Sequence, residues 1–372
     1  MAAIHVMIKP ASSSCNMRCG YCFYHEVAQS REVYSYGIME DYVLEQVVKK
    51  SLAASDTECA FTFQGGEPTL AGLAFYRKFA DFAEKYNVND VKVTMAIQTN
   101  GILLDREWTA FLKEHDFLVG ISLDGLQEFH DHYRKDAAGQ NTYNRVKKAI
   151  ALLQREQVDF NVLTVVSPVN YRSAVSIYRN YKKNGWTYMQ FIPCLPPLGE
   201  NKAPYALTAL QYGRFLRDLF DVWYEDMTAG NYVYIRFFND ILLILTGQQP
   251  VSCSSYGVCS SQYVVEADGS VYPCDFYVTD EYRIGSFCQN DIEEMNENRR
   301  KTAFIETSFA VPEECRFCRW YAVCRNGCGR ERETLRADGH TDRGGKNRFC
   351  EAYKTFYGYS RARWGELARK WY

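Results

Sequence analysis

Cys15-Asn16-Met17-Arg18-Cys19-Gly20-Tyr21-Cys22 places three thiols at C-x3-C-x2-C spacing, soon after a short apolar run, Ile4–Ile8. Three thiolates on one short loop can ligate three irons of a [4Fe–4S] cube and leave the fourth without a protein ligand. An open metal position is what a catalytic centre needs, because a substrate or cofactor must bind there. Spacing alone leaves a structural cluster, or a zinc ion with a remote fourth ligand, as the alternative. A second group lies far downstream: Cys253-x5-Cys259, then Cys274, then Cys315-x2-Cys318-x5-Cys324-x3-Cys328, and finally Cys350. Eight thiols are the number two fully ligated cubes require, and closed clusters suit electron transfer or structure. Four-cysteine zinc sites share the C-x2-C spacing and stay open at this point. Of the remaining thiols, Cys59 opens an apolar strand and reads as a small buried hydrophobe. Cys194 ends the last strand of the series below, and Cys288 receives no role.

These residues need a frame. Apolar runs at Ile4–Ile8, Cys59–Phe63, Val91–Ile97, Phe117–Leu123, Phe160–Val166 and Tyr188–Ile192 alternate with amphipathic stretches. The stretches are Glu40–Ala54, Leu70–Tyr86, Arg106–His115, Tyr143–Glu156 and Tyr171–Asn184, with Ala209–Met227 after the last strand. Strands and helices in this alternation predict parallel βα units. Six units are too few for a closed eight-unit barrel and suit a partial (β/α)6 barrel in the α/β class. Its reactive groups belong at the C-terminal strand ends. The residues there are polar or glycine-rich: Gln64-Gly65-Gly66-Glu67, Gln98-Thr99-Asn100-Gly101 and Ser122-Leu123-Asp124-Gly125. Beyond Asn231 periodicity fades, and nine of the fourteen cysteines fall between Cys253 and Cys350. That change predicts a barrel domain over 1–231 and a cysteine-rich domain over 232–372.

The 372 residues carry a formal net charge of −2 with the signs interspersed, which gives no footprint for nucleic acid or an anionic membrane. No signal peptide and no transmembrane helix is expected, and the cytoplasm follows as the compartment. In a reducing compartment, fourteen cysteines beside six histidines read as thiolate metal sites, not as disulfides.

With Tyr21 before its last cysteine, the C-x3-C-x2-C loop resembles the signature of the radical S-adenosylmethionine superfamily, and Gly65-Gly66-Glu67-Pro68 resembles its GGE segment. The downstream spacings resemble the SPASM domain of radical enzymes that modify peptides and proteins. Ile8-Lys9-Pro10-Ala11-Ser12-Ser13, Cys22-Phe23-Tyr24-His25, Ser35-Tyr36-Gly37-Ile38-Met39, Phe63 to Leu70 and Val271-Tyr272-Pro273-Cys274-Asp275-Phe276-Tyr277 are similar to the anaerobic sulfatase-maturating enzymes. This likeness runs over nearly the whole chain. It implies an oxidoreductase that converts a cysteine or serine of a sulfatase to Cα-formylglycine, using S-adenosyl-L-methionine and three [4Fe–4S] clusters.

The resemblance also assigns residues. Cys15, Cys19 and Cys22 would hold the cluster that cleaves S-adenosylmethionine. Cys253, Cys259, Cys274 and Cys328 would hold the first auxiliary cluster, and Cys315, Cys318, Cys324 and Cys350 the second. Family matches for the cofactor fall on Tyr21, Gly66, Ser122, Arg134 and Leu195, with Gln64, Gln98 and Tyr24 lining the same cavity. Asp275 matches the family's base; an exposed turn aspartate is the plainer reading of that residue. After Cys328 the chain reads Gly329-Arg330-Glu331-Arg332-Glu333, a stretch in which family members differ. The partners implied are a sulfatase polypeptide or other peptide and an electron donor such as flavodoxin or ferredoxin. Two other readings compete: a radical maturase of ribosomally made peptides, and a non-catalytic metal-binding module.

Overall fold

The computed structural model describes residues 3–335 and 341–371. In chain order the elements begin with β1 (Ile4–Ile8), β2 (Met17–Cys19), α1 (Phe23–Gln29), α2 (Asp41–Ala53), β3 (Glu58–Phe63), α3 (Leu73–Tyr86), β4 (Lys92–Thr99) and α4 (Arg106–Glu114). There follow β5 (Leu118–Ser122), α5 (Gln127–Tyr133), β6 (Arg134–Asp136), α6 (Tyr143–Arg155), β7 (Phe160–Val166), α7 (Ala174–Lys183), β8 (Tyr188–Pro193) and α8 (Ala209–Ala229). The rest comprises β9 (Tyr234–Ile235), α9 (Arg236–Leu245), α10 (Cys253–Tyr256), β10 (Tyr263–Val265), β11 (Ser270–Tyr272), β12 (Gly285–Ser286) and α11 (Ile292–Lys301). The chain ends with α12 (Glu313–Arg316), α13 (Tyr321–Cys324), β13 (Thr334–Leu335), β14 (Thr341–Asp342) and α14 (Cys350–Trp371). Two compact units emerge: unit 1 is 1–122, 134–160 and 261–304, and unit 2 is 123–133, 161–260 and 305–372.

All six expected strands form, as β1, β3, β4, β5, β7 and β8. In unit 1, β1 pairs with β3, β3 with β4 and β4 with β5, all parallel. β1 also takes β10 as a parallel neighbour, with Ile8 opposite Val265, and β11 and β12 continue antiparallel. The sheet is therefore mixed, within the α/β class. Alternation explains β3, where Cys59, Phe61 and Phe63 are buried and the residues between them are not. Phe63 packs its ring 4.9 Å from both Tyr76 and Phe79 of α3. The buried face of α3, Phe75, Tyr76, Phe79 and Ala83, has helical spacing. The expected start of that helix at Leu70 is late by a turn: Pro68–Ala71 form a separate 3₁₀ turn, and Gly72 at φ +79° breaks the path.

In unit 2, β7, β8 and β9 pair in parallel. α8 opens with a capping box in which Thr208 and Gln211 satisfy each other's backbone N–H groups, and ends at left-handed Gly230. α14 lies against α8, and their aromatic residues interlock with those of α9. Ring centroids are 5.6 Å apart for Phe220 and Phe356, 4.8 Å for Phe220 and Trp364, and 4.9 Å for Trp223 and Phe238. Periodicity is weak in α14 because polar Ser360 sits on its buried face while the large Tyr359 is exposed, so the fading pattern conceals a 22-residue helix. Removing the fully buried Phe356 ring (Phe356→Ala) is expected to cost unit 2 about 3–5 kcal/mol. Anaerobic urea denaturation checks this, and an unchanged midpoint contradicts it.

Candidate active site

β1 delivers the chain to a tight path, in which Ser12 N–H reaches Lys9 O at 3.1 Å and Ser14 N–H reaches Ala11 O at 2.9 Å. Cys15 follows. Its sulfur accepts the Met17 N–H at 3.3 Å, and Cys22 stands at the N-cap of α1 with its N–H on Cys19 O at 3.2 Å. Burial pushes the Cys15 thiol up to about 11 and raises Cys22 too, while backbone N–H groups and Arg134 pull Cys22 back. Sulfurs facing backbone donors and a cation suit thiolates ligating a cluster, because metal binding displaces the thiol protons.

The Gly65–Glu67 loop closes on the cysteine loop. Gly66 has φ +53°, and a Cβ there would stand 2.2 Å from Ser14 O, so only glycine fits. The next residue, Glu67, donates its N–H to that same oxygen at 2.8 Å. Its buried carboxylate accepts from Thr69 Oγ1 and Thr99 Oγ1, both at 2.7 Å, and from Asn100 N–H at 2.8 Å. Burial raises the Glu67 acid, and these donors oppose the shift. Asn100 Nδ2 in turn reaches Asn16 Oδ1 at 2.7 Å.

Of the unit 1 residues expected at the cofactor, Tyr21 and Arg134 meet beside the cysteine loop. β2 pairs with β6 so that Cys19 stands opposite Arg134, whose guanidinium lies 5.5 Å from the Tyr21 ring centre. Ser122 Oγ accepts from Gln98 Nε2 at 3.0 Å. Leu195 belongs to unit 2, just past β8, where Cys194 N–H bonds Val166 O at 2.8 Å.

Asp275 is buried, not an exposed turn residue. Its carboxylate is ion-paired with Lys9, whose side chain is fully enclosed, and accepts from Gln64 Nε2 at 2.6 Å. Lys9 Nζ also sits 3.8 Å from the Tyr24 ring centre, and the Tyr24 hydroxyl donates to Glu266. Glu266 pairs with Arg31 at 2.6 Å, both side chains being fully buried. Burial and the Glu266 charge hold the Tyr24 phenol well above its ordinary range. The sequence reading assigned no role to Lys9, Glu266 or Arg31. A signal existed, since Lys9 and Glu266 each follow a strand-like apolar run; the register of Ile8 on Val265 brings those two run ends together.

In unit 2, Cys315, Cys318, Cys324 and Cys350 line one cavity with Trp320, Tyr353 and Tyr357. Burial pushes Cys324 up to about 12 and raises Cys315 and Cys350. Among the described residues no three His, Cys, Asp or Glu side chains close on a single-ion site; these four ring a cavity instead. Cys253 and Cys259 also lie in unit 2; burial, with the nearby Cys259 sulfur, raises the Cys253 thiol, and a Cβ on Gly329, the residue after Cys328, would sit 3.5 Å from Cys259 Sγ. Cys274 belongs to unit 1. Cys59 is fully buried, as its apolar strand implied.

Residues 10–181 match the model of the radical SAM superfamily, and residues 253–319 that of an iron–sulfur cluster-binding domain, SPASM. Over 359 residues the chain is 44% identical to a cysteine-type anaerobic sulfatase-maturating enzyme of Clostridium novyi, covering 96% of this chain and 95% of the relative. The chain belongs to the anaerobic sulfatase-maturating enzymes. A serine-type member from Bacteroides thetaiotaomicron is 32% identical, over 95% of this chain and 88% of its own. The structure of native anSMEcpe with bound AdoMet and Cp18Cys peptide superposes with a TM-score of 0.92 at 42% identity, covering 99% of each chain. As a radical SAM and SPASM member of this family, the chain takes S-adenosyl-L-methionine and three [4Fe–4S] clusters as cofactors.

Because a Cβ at Gly66 meets the carbonyl that precedes Cys15, Gly66→Ala is expected to abolish 5′-deoxyadenosine formation after reduction. Chromatographic assay of that product checks this, and wild-type turnover contradicts it.

Proposed function

We propose that this anaerobic sulfatase-maturating enzyme oxidises a cysteine of a sulfatase polypeptide to Cα-formylglycine, with Asp275 as the base. The observation that carries the assignment is the enclosure of Asp275 between Lys9 and Gln64, one residue from Cys274. The greater identity to cysteine-type than to serine-type relatives, 44% against 32%, supports cysteine as the oxidised residue.

Converting –CH2–SH to a thioaldehyde removes two electrons and two protons. A hydrogen atom leaves Cβ, a proton leaves the thiol, and one electron passes to an acceptor, a role the auxiliary cluster assigned to Cys253, Cys259, Cys274 and Cys328 would fill; water then replaces sulfur as hydrogen sulfide. S-adenosylmethionine, at a cluster that Cys15, Cys19 and Cys22 would hold, would supply the radical chemistry that takes the hydrogen atom. The proton is the task of this chain's own side chains. A carboxylate has about four lone-pair positions, so the bonds from Lys9 and Gln64 fix Asp275 and still leave acceptor sites for a thiol. Lys9 is the positioning residue: with its stem enclosed it cannot swing away, and it aims the carboxylate oxygen.

Tyr21, Gly66, Ser122, Arg134 and Leu195 are assigned to S-adenosylmethionine. Cys253, Cys259, Cys274 and Cys328 are assigned to one auxiliary cluster, and Cys315, Cys318, Cys324 and Cys350 to the other; the shared cavity of the last four supports that second set. The barrel domain is assigned to 1–231 and the auxiliary domain to 232–372. A flavodoxin or ferredoxin is the electron donor in this reading. A cytoplasmic location without nucleic-acid or membrane partners belongs to the same reading and rests on the net charge of −2.

Anaerobic incubation of the reconstituted enzyme with a Cys-x-Pro-x-Arg peptide tests the function by mass spectrometry. Loss of the thiol with gain of an aldehyde is expected; 5′-deoxyadenosine formed on another peptide class alone points to a peptide maturase. Asp275→Asn is expected to keep S-adenosylmethionine cleavage and lose about 10²–10⁴-fold in aldehyde formation, and full product formation removes Asp275 as base. Lys9→Met is expected to shift the same ratio of aldehyde to 5′-deoxyadenosine downward, and an unchanged ratio removes its positioning role.

A further inference from the structure

The run Arg330-Glu331-Arg332-Glu333 has the composition of a solvated surface, yet all four residues are buried, Arg332 to 1% exposure. Arg330 and Glu333 pair with each other at 2.7 Å, and Glu331 accepts from Asn347 Nδ2 at 2.6 Å. Arg332 differs. Its recorded hydrogen bonds among the described residues all go to main-chain carbonyls: Nε to Asn326 at 3.0 Å, Nη1 to Ser308 at 2.9 Å, Nη2 to Gly327 at 2.6 Å and also to Gly257, with a longer contact to Arg325.

All of those carbonyls except that of Ser308 belong to the cysteine loops. Between Cys324 and Cys328, Arg325, Asn326 and Gly327 have φ of +48°, +65° and +67°, three left-handed residues in succession. Such a path is unfavourable for residues with a Cβ, so it needs a holder, and the carbonyls of Asn326 and Gly327 are both held by Arg332. Gly257, left-handed at φ +74°, lies between Cys253 and Cys259, and Ser308 Oγ receives the Cys259 N–H at 2.9 Å. One guanidinium thus ties the Cys253–Cys259 loop to the Cys324–Cys328 turn.

We propose that Arg332 is a positioning residue for the auxiliary clusters, a clamp that sets the ligand loops and whose buried charge favours the net negative four-thiolate cubes. The proposal rests on the assignment of these cysteines to auxiliary clusters. The planar five-donor fork is what lets one side chain span several carbonyls, which a lysine ammonium cannot reproduce.

The test reconstitutes full-length wild type, Arg332→Gln and Arg332→Lys anaerobically. Arg363→Gln serves as the control: Arg363 also lies in unit 2, pairs with Asp221 at 2.7 Å and packs over the rings of Phe220, Tyr224 and Tyr359. Iron and sulfide content, electron paramagnetic resonance of the reduced protein and S-adenosylmethionine cleavage are measured. Wild type is expected to hold about twelve irons. Both Arg332 variants are expected to hold about eight or fewer, or to show altered auxiliary signals, while the cluster that cleaves S-adenosylmethionine works at the wild-type rate. Arg332→Lys keeps a cation and a long stem, so it reports even where the glutamine variant fails to fold. Full iron with wild-type auxiliary signals in Arg332→Lys overturns the clamp, as does equal iron loss in Arg363→Gln. About four irons in wild type removes the auxiliary clusters themselves, and the clamp with them.

Discussion

Unit 1 depends on the burial of one carboxylate, Glu67, at 1% exposure. A carboxylate out of water costs several kcal/mol unless its lone pairs are filled. Here Thr69, Thr99 and Asn100 fill them, drawing on the loops after β3 and β4. The Glu67 N–H meanwhile holds the Ser14 carbonyl, which precedes the first cysteine of the triad. Three strand ends are locked by one residue, and the cysteine loop inherits its shape from that lock. The glycines before Glu67 follow from it: a carbonyl 2.2 Å from where a Cβ would stand leaves no alternative at Gly66.

The same logic orders Asp275, the proposed base. Lys9 and Glu266 leave adjacent parallel strands one residue past the Ile8 and Val265 pair, so the sheet register delivers two buried charges side by side. Each finds an opposite charge, Asp275 for Lys9 and Arg31 for Glu266, and Tyr24 lies between, ring under the ammonium and hydroxyl on the carboxylate. Fixed partners on several sides make the position of Asp275 over-determined. A proton acceptor that must meet one thiol in one geometry benefits from that more than from any gain in stability.

What was legible in the sequence was whatever depends on local periodicity. β1 and β7 occupy the residues their apolar alternation marks, and the other four strands and most helices differ by one to three residues at their ends. The cysteine groups were legible too, because ligation fixes spacing. Features set by distant contacts were not. α1 is a seven-residue helix whose start is dictated by Cys22, too short to carry a pattern. The Lys9–Asp275 pair joins residues separated by most of the chain, and only the β1–β10 pairing reveals it. The Arg325-Asn326-Gly327 turn could be read as a turn, but not that Arg325 itself adopts a left-handed φ.

Buried ion pairs are poor contributors to stability, since apolar residues of the same volume often serve as well or better. This chain nevertheless encloses Lys9 with Asp275, Arg31 with Glu266 and Arg330 with Glu333. Two of the three lie within a few residues of a cysteine assigned to a cluster: Asp275 beside Cys274, Arg330 and Glu333 just after Cys328. Thiolate-ligated cubes are anionic and need cations and N–H donors around them, and a radical-generating centre needs water kept away from its reactive carbon. Dry surroundings that also carry charge require paired side chains with little freedom to move. The charged residues inside this fold are therefore best understood as positioning elements, retained for the geometry they impose on cysteines and base, while the aromatic packing of α3, α8 and α14 supplies the cohesion.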